Sequence, residues 1–391
     1  MKGCIAFDRV RIPVDNLLNK YGNVNAEGKY ESPIKDEGMR FAITLSALSM
    51  GRLLYISGPT FALKAGLTTA IRYAHQRRQF GSKVENTIWS YPTHPDKIMP
   101  MVAFTHAFFA GFSTLATEYA NLDHNNMEDF HAVVSGIKAY SCEYTTPALR
   151  DLRVMCGGHG YSTNNRIGHL MNDMDVFNTA EGDETVLFIQ LARYLIDKSK
   201  KKTTNPVLKE VLSASSKATS SDVLSLQFQV QALSFRVKKL IEECQADIAK
   251  CLKEKKDAQT AWNLNLVKLI EAARSYVELE LVIRMQNSLI KNSVDQECKT
   301  IFKTISDIFA LNVINQNLSF YLVNQYLDVD QAKKIMDGAL PDLYQKLNPI
   351  IGEIVNSFNV PDFLLRAPIG LSNGQCYINS TLQSIGFKPT H

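Results

Sequence analysis

From about Arg40 onward the apolar residues of this chain recur at every third or fourth position, a spacing that one face of an α-helix satisfies and a strand does not. Phe41, Leu45, Leu48 and Leu53 fall on one such face, which predicts a helix. Gly58-Pro59 is expected to break or kink it before residues 61–73 resume, because an interior proline removes a hydrogen bond and crowds the preceding turn. Further helices are predicted over residues 94–122, 129–154 and 181–198. Long helices joined by loops imply an antiparallel bundle.

Residues 198–206 are polar and basic, short of large apolar side chains, and end in Asn205-Pro206, which marks them as the boundary of that bundle. Beyond them Val223, Leu226, Val230, Leu233, Val237 and Leu240 alternate spacings of three and four, the seam of a long helix packed against others. A coiled coil is the rival reading, although the seam decays at Asp247. The helical period repeats over residues 262–290 and 297–326, and residues 330–358 are read as two shorter helices around Pro341. The expected fold is mainly α, with two consecutive helical bundles. The second carries no catalytic constellation of its own, so its expected role is packing or dimerisation.

Residues 1–30 read differently. Ile5, Phe7, Val10 and Ile12, closed by Pro13, predict one extended strand. Such a strand needs a sheet to cover its edge and its apolar face, and the sequence offers none. The expected organisation is a β remnant over residues 1–30, a helical bundle over 31–200 and a second helical domain over 201–391, with the chain starting in mid-architecture.

A chain of 391 residues is long for one core and comfortable for two domains. The formal charge of +4 is thinly spread, and the only basic run, residues 198–202, is short and interrupted by Ser199, so nucleic-acid binding is not expected. Seven scattered cysteines read as free thiols in a reducing compartment, neither a disulfide framework nor a zinc site. Apolar runs such as residues 98–104 fall far short of the roughly 20 residues of a membrane span, and the N-terminus lacks a secretory pattern. A soluble intracellular protein is expected.

Chemistry is concentrated in a few places. Glu181 lies between Ala180 and Gly182, with Val186, Leu187 and Phe188 close behind, so it is expected at a helix start in a poorly hydrated cavity. Burial raises a carboxyl pKa while a helix N-terminus lowers it, and a carboxylate poised between the two serves as a general base. The bland alternative is a glutamate that only complements the dipole, as Asp183 and Glu184 beside it do. Gly157, Gly158 and Gly160 leave the backbone uncovered for a pyrophosphate, although a lone Gly-Gly-x-Gly is a weak signal. Arg77 and Arg78 offer forked donors suited to phosphate, and Phe80 a stacking face; a solvated helix end is the alternative. His159 is read as a structural hydrogen-bonding residue and Cys156 as a buried thiol.

Taken in order, Arg77-Arg78-Gln79-Phe80-Gly81, Cys156-Gly157-Gly158-His159-Gly160-Tyr161 and Thr179-Ala180-Glu181-Gly182-Asp183-Glu184-Thr185 resemble the flavin and catalytic segments of acyl-CoA oxidases, within the acyl-CoA dehydrogenase superfamily. The resemblance covers nearly the whole chain and is strongest over residues 7–19, 40–81 and 149–190. It thins over residues 82–101, where Tyr91-Pro92-Thr93-His94-Pro95 replaces a glutamine-rich stretch.

The resemblance implies FAD-dependent α,β-dehydrogenation of a fatty acyl-CoA to trans-2-enoyl-CoA, with electrons passed to O2 to give H2O2. Glu181 matches the glutamate that removes the α-proton. Arg78, Gln79, Phe80, Gly157, Gly158, Asp183 and Thr185 match the FAD site, Arg77 being the weaker match of the two arginines. In relatives the arginine segment reaches FAD bound mainly by the neighbouring subunit, so a homodimer with shared sites is implied. Peroxisomal location follows from the resemblance alone, since the chain ends Pro389-Thr390-His391 rather than in a Ser-Lys-Leu type signal, which leaves the cytoplasm open. Residues 7–13 resemble the last strand of a β-domain that supplies most flavin contacts, so this polypeptide alone is expected to bind FAD weakly or not at all and to oxidise acyl-CoA negligibly. Two other readings stand beside it: an acyl-CoA dehydrogenase passing electrons to a flavoprotein, against which the second bundle argues, and a catalytically inactive helical dimerisation module.

Overall fold

A computed structural model of the protein describes residues 3–37, 39, 40, 43, 48–122, 126–201, 203–218, 220–291, 295–372 and 376–387. Phe41 and Leu45 of the first predicted helical face, and the terminal Pro389, Thr390 and His391, lie outside them. The chain divides into two compact units, residues 1–51 and residues 52–391.

In the first unit the expected strand over Ile5 to Ile12 does not form. Those residues are exposed, and Arg9 adopts a left-handed backbone (φ 49°) that interrupts the extended run. Pairing occurs instead in a small hairpin, β1 (Asn23–Val24) with β2 (Tyr30–Glu31), antiparallel with Asn23 opposite Glu31. Its turn is built by Asn25, whose Oδ1 accepts from the amides of Glu27 and Lys29 at 3.1 and 2.9 Å.

The second unit is helical. Helix α1 (Leu48–Gln76) leads into a hairpin of β3 (Arg78–Gln79) and β4 (Asn86–Thr87), followed by α2 (Thr93–Ala120) and α3 (Met127–Met155). Short helices α4 (Gly157–Tyr161) and α5 (Ile167–Asp175) precede α6 (Glu184–Ser199) and α7 (Pro206–Ser213). Then come α8 (Leu226–Lys253), α9 (Ala258–Asn263), α10 (Leu266–Lys291) and α11 (Gln296–Gln316). The C-terminal part includes a helical stretch over residues 329–357 and a last helix, α12 (Tyr377–Ser384).

Gly58-Pro59 does not break α1. Pro59 lies inside a continuous helix, and a Cβ on Gly58 would meet the Phe177 ring at 2.5 Å. The glycine is there for a close approach, with Tyr55 and Phe177 ring centroids 4.5 Å apart. Helices α2 and α3 match their predicted ranges to within two residues at each end, as expected of boundary definition. Helix α2 is the one described helix long and apolar enough to cross a membrane by length and composition. Of its most apolar window, 67% is buried within the protein, the setting of a core helix.

Helix α10 is the hub, packed against α8, α2, α6, α11 and α3. It buries Leu269, Tyr276, Val277, Leu281 and Val282 on several sides. Its buried charges are paired: Arg236 of α8 donates to Glu278 Oε2 at 2.5 Å and also to Glu271, while Arg284 donates to Glu280 Oε2 at 3.1 Å and to Glu118 Oε1 of α2 at 2.8 Å. Buried ions survive folding only with such partners. The seam of α8 therefore packs within the chain: Leu233, Val237 and Leu240 are buried against this hub.

The segment 198–206 is largely exposed but is anchored at two points. Thr203 and Asn205 are buried, Asn205 caps α7 by accepting from Leu208 N at 3.0 Å, and its Nδ2 donates to Tyr194 Oη at 3.1 Å. The C-terminal part returns to α1, where Arg72 donates to Gly370 O at 2.9 Å and to Asn356 Oδ1 at 2.9 Å.

Candidate active site

The segment before α6 is a two-residue left-handed turn. Glu181 has φ 57° and Gly182 φ 117°, and a Cβ at Gly182 would lie 2.9 Å from Leu187 Cδ2. Helix α6 starts three residues later than Glu181, because Asp183 is the N-cap and its Oδ1 accepts from the amides of Thr185 and Val186 at 3.0 and 3.3 Å. Glu181 therefore stands outside the helix on a strained backbone, a conformation that costs a non-glycine residue about 1 kcal/mol or more.

Two cations from neighbouring helices hold this turn. Arg52 Nε of α1 donates to Glu181 O at 3.1 Å, and Lys138 Nζ of α3 donates to Gly182 O at 2.7 Å. Lys138 is fully buried and Arg52 nearly so. Burial lowers both pKa values, opposed at Arg52 by the Glu181 carboxylate and at Lys138 by Cys142 and Glu184. Arg52 Nη1 also donates to Ser135 Oγ at 2.9 Å and meets His131 Nε2 at 3.3 Å. Burial, and then Arg52, push the His131 pKa down to about 4, so the ring is neutral and Nε2 accepts. The Gln190 side chain meets the same nitrogen.

With its carbonyl occupied, the Glu181 side chain is left to its own chemistry. It is half-buried, and Oε2 is buried with no hydrogen-bond partner among the described residues. A buried carboxylate oxygen without a donor is costly unless something else uses it. Glu184, one turn on, also buries an unpartnered Oε2, and its pKa is raised by burial and then by Glu143 and Asp183.

The glycine segment forms a separate cavity of about 430 Å³, whose lining includes Arg77, Gln79, His94, Lys97, Gly157 and Gly158. Gly157 (φ 58°) and Gly158 open onto free space where a Cβ would otherwise project. Gly160 does not: it is buried, and a Cβ there would meet the Arg153 carbonyl at 2.0 Å, so its role is packing. Among the described residues His94 Nε2 is buried without a hydrogen-bond partner; burial lowers the ring's pKa against a backbone hydrogen bond at Met155, and Lys97 adds to the lowering. His159 sits beside Tyr73 and Tyr377 at ring-centroid distances of 5.6 and 5.4 Å. The Cys156 thiol is buried and pushed up to about 12.

The arginine segment splits. Arg77 and Gln79 line the cavity, while Arg78 folds back on the hairpin, donating to Glu85 O at 3.0 Å, and Phe80 (φ 59°) is 74% exposed. The candidate residues thus fall into three places: Gln79, Gly157 and Gly158 around the cavity; Glu181, Asp183 and Thr185 on one turn; Arg78 and Phe80 on the exposed face of the hairpin. Sequence reasoning missed Arg52, Lys138, His94 and Lys97. The legible signal was Lys138, a lone cation in the apolar run Val133 to Tyr140.

Comparison with known proteins gives a consistent picture. A family model described as acyl-CoA oxidase, C-alpha1 domain, matches residues 45–196, and one described as acyl-CoA oxidase matches residues 225–383. The chain is similar to peroxisomal acyl-coenzyme A oxidase 2 of Arabidopsis thaliana, 33% identical over 98% of this chain and 58% of that protein. It is also similar to human peroxisomal acyl-coenzyme A oxidase 3, 28% identical over 96% of this chain and 58% of that one. Among solved structures, acyl-CoA oxidase-1 of Caenorhabditis elegans complexed with FAD and ATP superposes with a TM-score of 0.89 at 22% identity, covering 97% of this chain and 58% of the other. Acyl-CoA oxidase 3 of Yarrowia lipolytica does so with a TM-score of 0.87 at 22% identity, covering 98% and 59%. The chain spans somewhat under three fifths of the length of each of these relatives.

Proposed function

Since the chain belongs to the acyl-CoA oxidase family, we propose that it carries the proton-abstracting base and the phosphate-facing part of the FAD site of an acyl-CoA oxidase. The observation that carries this reading is the buried, unpartnered Oε2 of Glu181 on a turn fixed through its carbonyls by Arg52 and Lys138. A carboxylate in that state takes a proton from carbon α to a thioester, since no hydrogen bond has to be broken first.

The residues present fit FAD in one respect that geometry tests. Open backbone at Gly157 and Gly158 lines the same cavity as Arg77 and Lys97, two cations suited to a pyrophosphate. When bound, FAD supplies the hydride acceptor for the β-hydrogen and returns the electrons to O2 as H2O2. The chain's own part is to hold the phosphates at that cavity and to keep Glu181 poised at the other site. Arg78 and Phe80, exposed on the hairpin, are available to FAD bound by a second copy, which supports a dimer with shared sites. The curated relatives are named peroxisomal, and the same location is proposed here.

The test is peroxide release from a fatty acyl-CoA in the presence of FAD, for the chain within its complete enzyme. Glu181→Gln should lower it by about 10³-fold or more with FAD binding unchanged. Retention of activity within tenfold, roughly the scale of an indirect effect, would sink the assignment.

A further inference from the structure

We propose that Lys138 is the positioning residue for Glu181: its ammonium, with the Arg52 guanidinium, clamps the Glu181-Gly182 turn in its left-handed form and so holds the carboxylate in its unpartnered pose. This rests on the reading of Glu181 as the base and adds to it the device that sets the base.

A turn with positive φ at a glutamate does not persist by itself. The left-handed form is disfavoured for a residue with a Cβ, and the surroundings must over-determine it. Here the excess constraint is visible. The two successive carbonyls of the turn, those of Glu181 and Gly182, each accept a hydrogen bond from a cation on a different helix, Arg52 of α1 and Lys138 of α3. The Asp183 cap fixes the next residue to α6.

Lys138 is the more informative of the two donors. It is fully buried, its ammonium donates to Gly182 O, and a lysine set in an apolar helix face is expensive unless that contact is needed. Arg52, by contrast, is shared between the turn, Ser135 and His131. An apolar residue at position 138 would lose the hold on the turn.

The experiment uses the whole 391-residue chain and two readouts, amide hydrogen exchange of the peptide spanning residues 180–187 and carbodiimide labelling of the Glu181 carboxyl followed by mass spectrometry. Lys138→Met should accelerate exchange in that peptide by about tenfold or more and change the Glu181 labelling rate, with exchange in α8, α10 and α11 unchanged. Lys138→Arg, which keeps a cationic donor, should restore both. Arg52→Met serves as a second, independent variant should Lys138→Met fail to fold. Exchange over residues 180–187 that is unaltered in the folded variants, or accelerated only together with every helix of the bundle, overturns the proposal. Failure of the base assignment itself reads differently: Glu181→Gln would then leave peroxide release intact whatever the exchange data show.

Discussion

Arg77 and Tyr377, three hundred positions apart in the chain, are joined by a hydrogen bond of 2.8 Å from the guanidinium Nη1 to the phenol oxygen. The contact ties the last helix to the residue that lines the glycine cavity, and Tyr377 N donates to Gln76 Oε1 at 3.1 Å beside it. Tyr377→Phe keeps the ring contacts with Tyr73 at 5.2 Å and His159 at 5.4 Å and deletes only the hydroxyl. The expected outcome is a loss of about 1 kcal/mol in urea unfolding together with weaker binding of a phosphate-bearing ligand at the cavity. Unchanged stability would mean that solvent replaces the phenol at no cost.

Asp183 separates a capping role from a ligand role. Its carboxylate already accepts from the amides of Thr185 and Val186, so Asp183→Ala should cost about 1 kcal/mol by thermal or urea unfolding. Asp183→Asn and Asp183→Ser, which also cap, should stay within about 0.5 kcal/mol of the parent. If Asp183→Asn instead loses FAD binding while keeping stability, the carboxylate acts on the cofactor as well.

The helices were legible because burial imposes a period, and that period survives in α2, α3, α6 and α8 whatever they pack against. What was not legible depended on distant partners. Gly58-Pro59 reads as a break, yet the glycine answers to Phe177 and the helix runs through. The alternating run from Ile5 to Ile12 reads as a strand, but pairing is a property of two segments and no ladder forms there. The site divided in the same way. Glu181 and the glycines were singled out by their resemblance to acyl-CoA oxidase segments, whereas Arg52 and Lys138 act on backbone carbonyls far along the chain, a contact with no local signature. Of the two arginines, the resemblance favoured Arg78; in the structure Arg77, just before β3, lines the cavity with Gln79, while Arg78 between them bonds back to Glu85 O.

His106 predicts an acid-sensitive fold. Its ring is half-buried against Phe302 and Phe358 at 5.9 and 5.4 Å, Nδ1 donates to Val102 O at 2.8 Å, and burial lowers its pKa to about 4 against that hydrogen bond, with Lys64 adding to the effect. Between that value and the ordinary pKa near 6.5, the unfolded chain binds a proton that the folded chain refuses. The stability this ring allows is thus fully present above pH 6.5 or so and lost as pH falls toward 4, to the extent of about 3 kcal/mol. His106→Phe should flatten the dependence of unfolding free energy on pH across that window by about this amount; parallel curves for the two proteins would contradict it.

Arg236 gives the largest expected penalty. Its guanidinium, 2% exposed, donates to Glu278 Oε2 at 2.5 Å, and the same carboxylate accepts from Tyr140 Oη at 3.1 Å through Oε1. Burial raises the Glu278 pKa, and Arg236 is the main influence holding it down. Arg236→Met leaves that carboxylate buried opposite a thioether, so unfolding free energy at neutral pH should fall by about 3–5 kcal/mol. The variant also acquires a pH dependence of definite sign. With its folded pKa raised further above the unfolded value, Glu278 takes up a proton in the folded state first, so the variant gains stability as pH falls from the folded pKa toward the unfolded one. Adding Glu278→Gln should remove that dependence and recover most of the loss, because an amide still accepts from Tyr140 without a charge to bury. A double variant as unstable as the single one would show that Arg236 contributes through its packing between α8 and α10, rather than through the ion pair.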